Sequence, residues 1–193
     1  MVLAAGGYIN SPDGSCGGTA QLASAELYDP ATGTWSATSD MTKARNIPTA
    51  AVLPDASVLV IGSESCCPSH WFNSAESYDP GTQLWTPRNG RTTPANGAAV
   101  LLPDGKVLVA GGGKGTQPTN VNVASAELFD SSTGTWTATA SMSIDRGLHT
   151  LTLLASGEVL VAGGDSGAGV SAMTSLAPSC TIRAQVRGFL RAT

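Results

Sequence analysis

The chain has 193 residues, enough for one domain with a core of its own, and is 41% hydrophobic but only 12% charged, with 23 Gly and 11 Pro. So many turn formers beside so few Lys, Glu and Arg exclude long solvated helices and point to short strands joined by tight turns. A net charge of −4 argues against general affinity for nucleic acid, and no apolar stretch is long enough to span a bilayer.

In chain order, the first predicted strand covers residues 2–5 and ends at Gly6-Gly7. After a connection of residues 8–22 comes Ala25-Glu26-Leu27-Tyr28-Asp29, then the turn residues Pro30-Ala31-Thr32-Gly33, and then a strand opened by Trp35. A small apolar run at residues 49–53 begins a second unit. Residues 58–61, Ala75-Glu76-Ser77-Tyr78-Asp79 and Trp85 follow it at matching spacing. The third unit has residues 97–102, the turn Pro103-Asp104-Gly105, residues 107–110, Gly111-Gly112, Ala126-Glu127-Leu128-Phe129-Asp130 and Trp136. A fourth begins at residues 148–154 and 159–162 and reaches Gly163-Gly164.

The three tryptophans are thus 50 and 51 residues apart, with two further motifs recurring in phase. Each unit reads as four strands. The first is continuously apolar and is expected to be buried on both faces. The second ends at the glycine pair, whose freedom to take positive φ suggests a sharp exit from the strand. The third carries the Ala-Glu motif, and the fourth begins near the tryptophan.

Four strands in about 50 residues, with a double glycine and a periodic tryptophan, are the pattern of a β-propeller blade. Gly-Gly, Ala-Glu-Leu-Tyr-Asp-Pro and Gly-Thr-Trp together resemble the kelch repeat, above all its bacterial form related to the galactose oxidase central domain. The expected fold is therefore all-β, with kelch-like blades of four antiparallel strands, about three blades in all, as an incomplete propeller. Kelch blades occupy residues 1–165: a partial blade at 1–38, full blades at 47–88 and 95–140, and a partial blade at 147–164.

Thirteen strands do not close a ring of ordinary size. Three accounts are open: a fragment of a longer array, self-association of two copies, or an arc that persists alone. Residues 166–193 form an atypical tail outside the repeat. They carry Arg183, Arg187 and Arg191 without an acid, whereas residues 1–165 carry seven Lys/Arg and fourteen Asp/Glu. The arginines would share one face of a helix, although unstructured or non-native sequence is the simpler reading.

No catalytic constellation is visible, and no cofactor is expected. The resemblance raises a copper radical oxidase, but such a site needs converging Tyr and His ligands. Tyr28 and Tyr78 are the repeated aromatic, replaced by Phe129 in the third unit, which suggests packing. Cys66-Cys67-Pro68-Ser69-His70, with Cys16, is the most metal-like cluster; a disulfide from Cys16 to either neighbour, or free thiols, are the competing readings, and no metal site is assigned. Glu26, Glu76 and Glu127 recur, as do Arg45 and Arg146, each ten residues after a tryptophan; Ala95 holds that place in the second unit. Repeated charges suit blade-to-blade contacts. His149 reads as a satisfied core histidine.

Function is expected in what varies: the second-to-third strand connections, residues 8–22, 64–73 and 113–123. In proteins with kelch repeats these loops line one end of the blades, and the resemblance implies the same here. His70, Trp71 and Phe72 are the candidate binding residues, two aromatics in a loop making an anchor. The expected role is recognition of a protein or glycan partner. The alternatives are a fragment of a galactose-oxidase-like or carbohydrate-processing enzyme, and a purely structural repeat. The resemblance favours an extracellular or cell-surface location, though no signal peptide is read at the N-terminus.

Overall fold

The computed structural model describes residues 1–10, 19–64, 71–93, 97–114, 121–166 and 182–184, and the regular elements among them are all strands. The first blade contains β1 (Val2–Ala5), β4 (Ala25–Asp29) and β5 (Thr34–Ala37), with a small hairpin, β2 (Tyr8–Asn10) and β3 (Thr19–Gln21), between its first two strands. The second is a complete meander of β6 (Thr49–Val52), β7 (Val58–Glu64), β8 (Trp71–Asp79) and β9 (Leu84–Arg88). The third contains β10 (Ala98–Leu101), β11 (Lys106–Ala110), β14 (Ala126–Asp130) and β15 (Thr135–Thr139), again with a hairpin, β12 (Gly113–Lys114) and β13 (Val121–Asn122). The fourth pairs β16 (Gly147–Leu153) with β17 (Val159–Asp165) and adds β18 (Ile182–Ala184), so three residues of the basic tail take part in a sheet. Among the described residues no helix is long and apolar enough to cross a membrane.

Turn chemistry sets the register. The aspartate closing each third strand accepts a hydrogen bond on its side chain from the N–H two residues on: Ala31 to Asp29, Gly81 to Asp79 and Ser132 to Asp130. That turn also requires a left-handed residue, Gly33 (φ 70°) in the first blade and Gly134 (φ 68°) in the third, but Gln83 (φ 58°) in the second. The first-to-second strand turn repeats the pattern, with Gly105 and Gly157 left-handed in the last two blades and Ala56 (φ 68°) in the second.

Matching register brings one aromatic pair onto each blade: Tyr28 on Trp35, Tyr78 on Trp85 and Phe129 on Trp136, with ring centroids 5.0–5.1 Å apart. The tyrosine position does more than pack, because the Tyr78 hydroxyl bonds Thr38 Oγ1 of the preceding blade at 2.7 Å. The tryptophans also face backwards. Trp85 donates its indole N–H to the Ser39 carbonyl (2.8 Å), and Trp136 to that of Asn89 (2.7 Å).

The sheets stack in chain order, with β6 beside β10 and β10 beside β16, and the described residues form no closed ring. Leu59, Ile61, Val107, Val109 and Phe129 fill the space between the second and third blades; Leu108, Ala110, Ala126 and Val159 fill the next. The second strand, not the first, is the one buried on both sides. In β11 residues 107–110 are all buried, whereas β10 is half-buried along its length. The cause is position: β11 has a strand on either edge and a sheet on either face, while β10 has a strand on only one edge.

Two substitutions should stabilise the fold. A side chain in the left-handed region costs about 1–2 kcal/mol, more than glycine loses in chain entropy. Gln83→Gly and Ala56→Gly are each expected to raise stability by about 0.5–1 kcal/mol, read as a higher denaturation midpoint at unchanged slope. Trp136 is half-buried and hydrogen-bonded, whereas Trp35 is 54% exposed. Trp136→Ala should therefore cost about 2–3 kcal/mol, and Trp35→Ala less than about 1; equal losses would contradict this packing.

Candidate functional site

Two structures meet at the end of the blades marked by the glycine pairs: the linkers that enter each new blade, and the hairpins that extend the second and third strands. The glycines seat the linkers. Gly7 N–H donates to the Arg45 carbonyl and Gly112 N–H to that of Arg146, both at 2.7 Å. A Cβ on Gly6 would lie 2.7 Å from the Arg45 oxygen, and one on Gly111 the same distance from the Arg146 oxygen. Both glycines also have positive φ, so no other residue fits without displacing the linker. In the second blade the strands run through this point instead. There β7 and β8 shift register between Ile61 and Ser63, at Gly62.

Each linker carries an arginine into the following blade. Arg45 is fully buried and uses Nη2 and Nε to hold Glu76 Oε1 at 2.8 and 3.1 Å. Its Nη1 donates to the carbonyls of Gly62 (2.6 Å) and Ser74 (3.1 Å). The other carboxylate oxygen accepts from the N–H and hydroxyl of Thr42, both at 2.6 Å. The next junction repeats this with a different donor. Arg91 Nε lies 3.3 Å from Glu127 Oε1, while Thr92 supplies its N–H (2.9 Å) and hydroxyl (2.8 Å) to Oε2.

Counting ten residues from Trp85 thus picks the wrong residue: Arg91, not a residue at position 95, supplies the cation. Backbone hydrogen bonds explain the exchange. Met41, Arg91 and Met142 make the same bond, to the carbonyls of Ala23, Asn73 and Ala124. Arg91 therefore sits where the other linkers carry methionine, and its long side chain reaches the same carboxylate from four residues earlier. Burial alone would push the carboxyls of Glu76 and Glu127 up, but the donors around them outweigh it and hold both below the ordinary value. Glu26 is exposed and has no such partner among the described residues.

The hairpins project from the same end. β2–β3 pairs Tyr8 with Gln21, the extension of β7–β8 pairs Glu64 with Trp71 and Ser63 with Phe72, and β12–β13 pairs Lys114 with Val121. Tyr8, Ile9 and Val121 are exposed there. Of the three predicted binding residues, Trp71 and Phe72 belong to the backbone of β8, so the aromatic pair stands on a strand rather than in a loop. His70 lies outside the described residues, as do Cys16, Cys66, Cys67 and Cys180. Among the described residues no cluster of His, Cys, Asp and Glu could hold a metal.

His149 departs from expectation. It is buried, yet neither ring nitrogen makes a well-formed hydrogen bond among the described residues. Burial first, and then the charge of Arg146, lower its pKa from 6.5, against a smaller opposing effect of the Ala110 carbonyl.

Two consequences follow for stability. Glu76→Ala or Glu127→Ala strands a buried guanidinium and should cost about 3–5 kcal/mol in chemical denaturation. For His149, Glu76 and Glu127 the folded pKa lies below the unfolded one, so the unfolded chain binds more protons as pH falls. Stability should decline from pH 6.5 downward as His149 resists its proton, and again below 4.5 as the glutamates do. The first decline should vanish in His149→Gln, and a profile flat from pH 7 to the acid limit would contradict both assignments.

Residues 94–143, which contain all four strands of the third blade, match the Kelch motif. No curated protein matches the chain. The fold is similar to that in a solved structure titled "Structure of YjhT", with a TM-score of 0.64 at 16% identity, over 84% of this chain and 49% of that one. The chain thus spans about half the length of the structure it resembles, and what the two share is the fold.

Proposed function

We propose that the chain is a binding module that recognises a protein or glycan partner with the hairpins at the glycine end of its blades. The observation behind this reading is the contrast between constant blades and variable hairpins. Strand registers repeat from blade to blade, while the hairpins differ in length and sequence and present Tyr8, Ile9 and Val121 to solvent. Buried arginine–glutamate junctions directly beneath hold the hairpin bases in fixed relation. A pre-organised surface loses little entropy on binding, and exposed aromatic and aliphatic side chains are what such surfaces bury first.

The test is selection followed by mapping. A displayed peptide library and a glycan array are each screened against the purified chain, and selected ligands are re-measured on variants. Tyr8→Ser, Val121→Ser and the paired change Trp71→Ser with Phe72→Ser should each weaken a genuine ligand about tenfold or more, as loss of an interface anchor does. Leu84→Ser, exposed at the opposite end, serves as control. Ligands whose affinity follows Leu84 and ignores the hairpins would overturn the proposal.

A further inference from the structure

We infer that Asn89 is a self-modifying site, where attack by the Gly90 backbone nitrogen turns the asparagine into isoaspartate and draws Arg91 away from Glu127. The site lies in the linker between β9 and β10, with the complete second and third blades on either side of it. Its chemistry needs a side-chain amide that is free to move, a main-chain nitrogen free to attack it, and no side chain shielding that nitrogen. Asn89-Gly90 meets all three conditions.

Asn89 is exposed, and its side chain makes no hydrogen bond among the described residues. Gly90 N–H donates to no backbone carbonyl among them, although Arg91 N–H beside it bonds the Asn73 carbonyl at 2.9 Å. Asn73 and Asn122, which also stand at the glycine end of the blades, are held. Asn73 Nδ2 donates to the Arg91 carbonyl at 2.9 Å and Asn122 Nδ2 to that of Asp165 at 2.8 Å. The residues that follow them are Ser74 and Val123, whose side chains shield the next nitrogen. The fold itself maintains the glycine after Asn89. A Cβ at residue 90 would lie 2.2 Å from the Asn73 carbonyl oxygen and 3.1 Å from Ser74 Cα.

In the reaction the Gly90 nitrogen forms a bond to Asn89 Cγ, its proton passes to the departing amide, and ammonia leaves. The product is a cyclic imide that joins the side chain to the main chain. Water then opens this ring at either of its carbonyls. Opening at Cγ gives aspartate, with the main chain unaltered. Opening at the α-carbonyl gives isoaspartate, in which the main chain runs through Cγ and is one atom longer. Water is the only other reactant, and nothing is oxidised or reduced.

The seam has no slack for the extra atom. Gly90 is pressed against the backbone of Asn73 and Ser74. Arg91 is pinned just beyond it, its N–H on the Asn73 carbonyl and its own carbonyl on Asn73 Nδ2. Just before it, the Asn89 carbonyl accepts the Trp136 indole N–H at 2.7 Å. In isoaspartate that oxygen belongs to a free carboxylate, and the anchors on either side of residue 90 no longer match the chain between them. The contact that yields is Arg91 Nε to Glu127 Oε1, at 3.3 Å longer than the 2.8 Å pair of Arg45 and Glu76.

Ageing the full chain tests this. The purified protein is incubated at mildly alkaline pH, which favours the deprotonated nitrogen, and each asparagine is followed by peptide mapping with tandem mass spectrometry. Asn89 should convert roughly tenfold faster than Asn73 or Asn122, the factor that one retained hydrogen bond is worth. The isoaspartate fraction should unfold at a lower denaturant midpoint. N89D, with the new charge on a main chain of normal length, should unfold as wild type does. N89Q should pass through the same incubation unconverted and with its midpoint unchanged. In E127Q, whose junction is already weakened, conversion should lower the midpoint less. Conversion of Asn89 no faster than that of Asn73, an isoaspartate fraction as stable as N89D, or an equal loss in E127Q would each overturn the inference. If N89Q does not fold, N89S, which also lacks the amide, takes its place.

Discussion

One buried carboxylate held by a guanidinium and a threonine is the contact on which the stacking of these blades depends. Apolar side chains between the sheets provide most of the driving force, but apart from Phe129 the buried ones are Val, Leu, Ile and Ala, which slide over one another at little cost. The glutamate fixes the stagger. It is buried in the third strand, and its donors come from the linker that has just left the preceding blade. A charge removed from water must meet its partner at hydrogen-bond distance, so the second and third blades each have one allowed position relative to the blade before. The glycine pair belongs to the same device, because only a residue without a Cβ lets the linker backbone dock beneath the strand end.

That arrangement separates stability from recognition in space. Everything repeated from blade to blade, from the aromatic pairs and aspartate turns to the glutamate junctions, lies within the sheets or at their seams. The hairpins start immediately beyond the last repeated hydrogen bond. Their sequences can change without disturbing the seam below, which is how a repeat scaffold acquires different binding surfaces.

Much of this architecture was legible because it is periodic. Strand identity and the structural use of Glu76 and Glu127 both follow from motifs returning in phase. What the sequence hid was geometry that breaks the period. Arg91 replaces the arginine of its neighbours from a methionine position, and only backbone hydrogen bonding reveals the equivalence. That His149 lacks a well-formed hydrogen bond among the described residues depends on its surroundings, which residue type cannot give. Continuous hydrophobicity marked β10 as buried on both faces, but β11 earns that place because it has a strand on each edge. The candidate binding residues were found by composition alone, so the sequence put Trp71 in a loop where the chain has a strand.

The backward-reaching tryptophans give the protein an optical record of its own assembly. Trp85 and Trp136 each hydrogen-bond a carbonyl belonging to the previous blade, while Trp35 stands in solvent. Indole emission responds to water at the ring and to its N–H partner, so the first blade glows in a different environment from the others. Any event that separates two blades, or that lays a new one against the first, changes the colour of one identifiable residue.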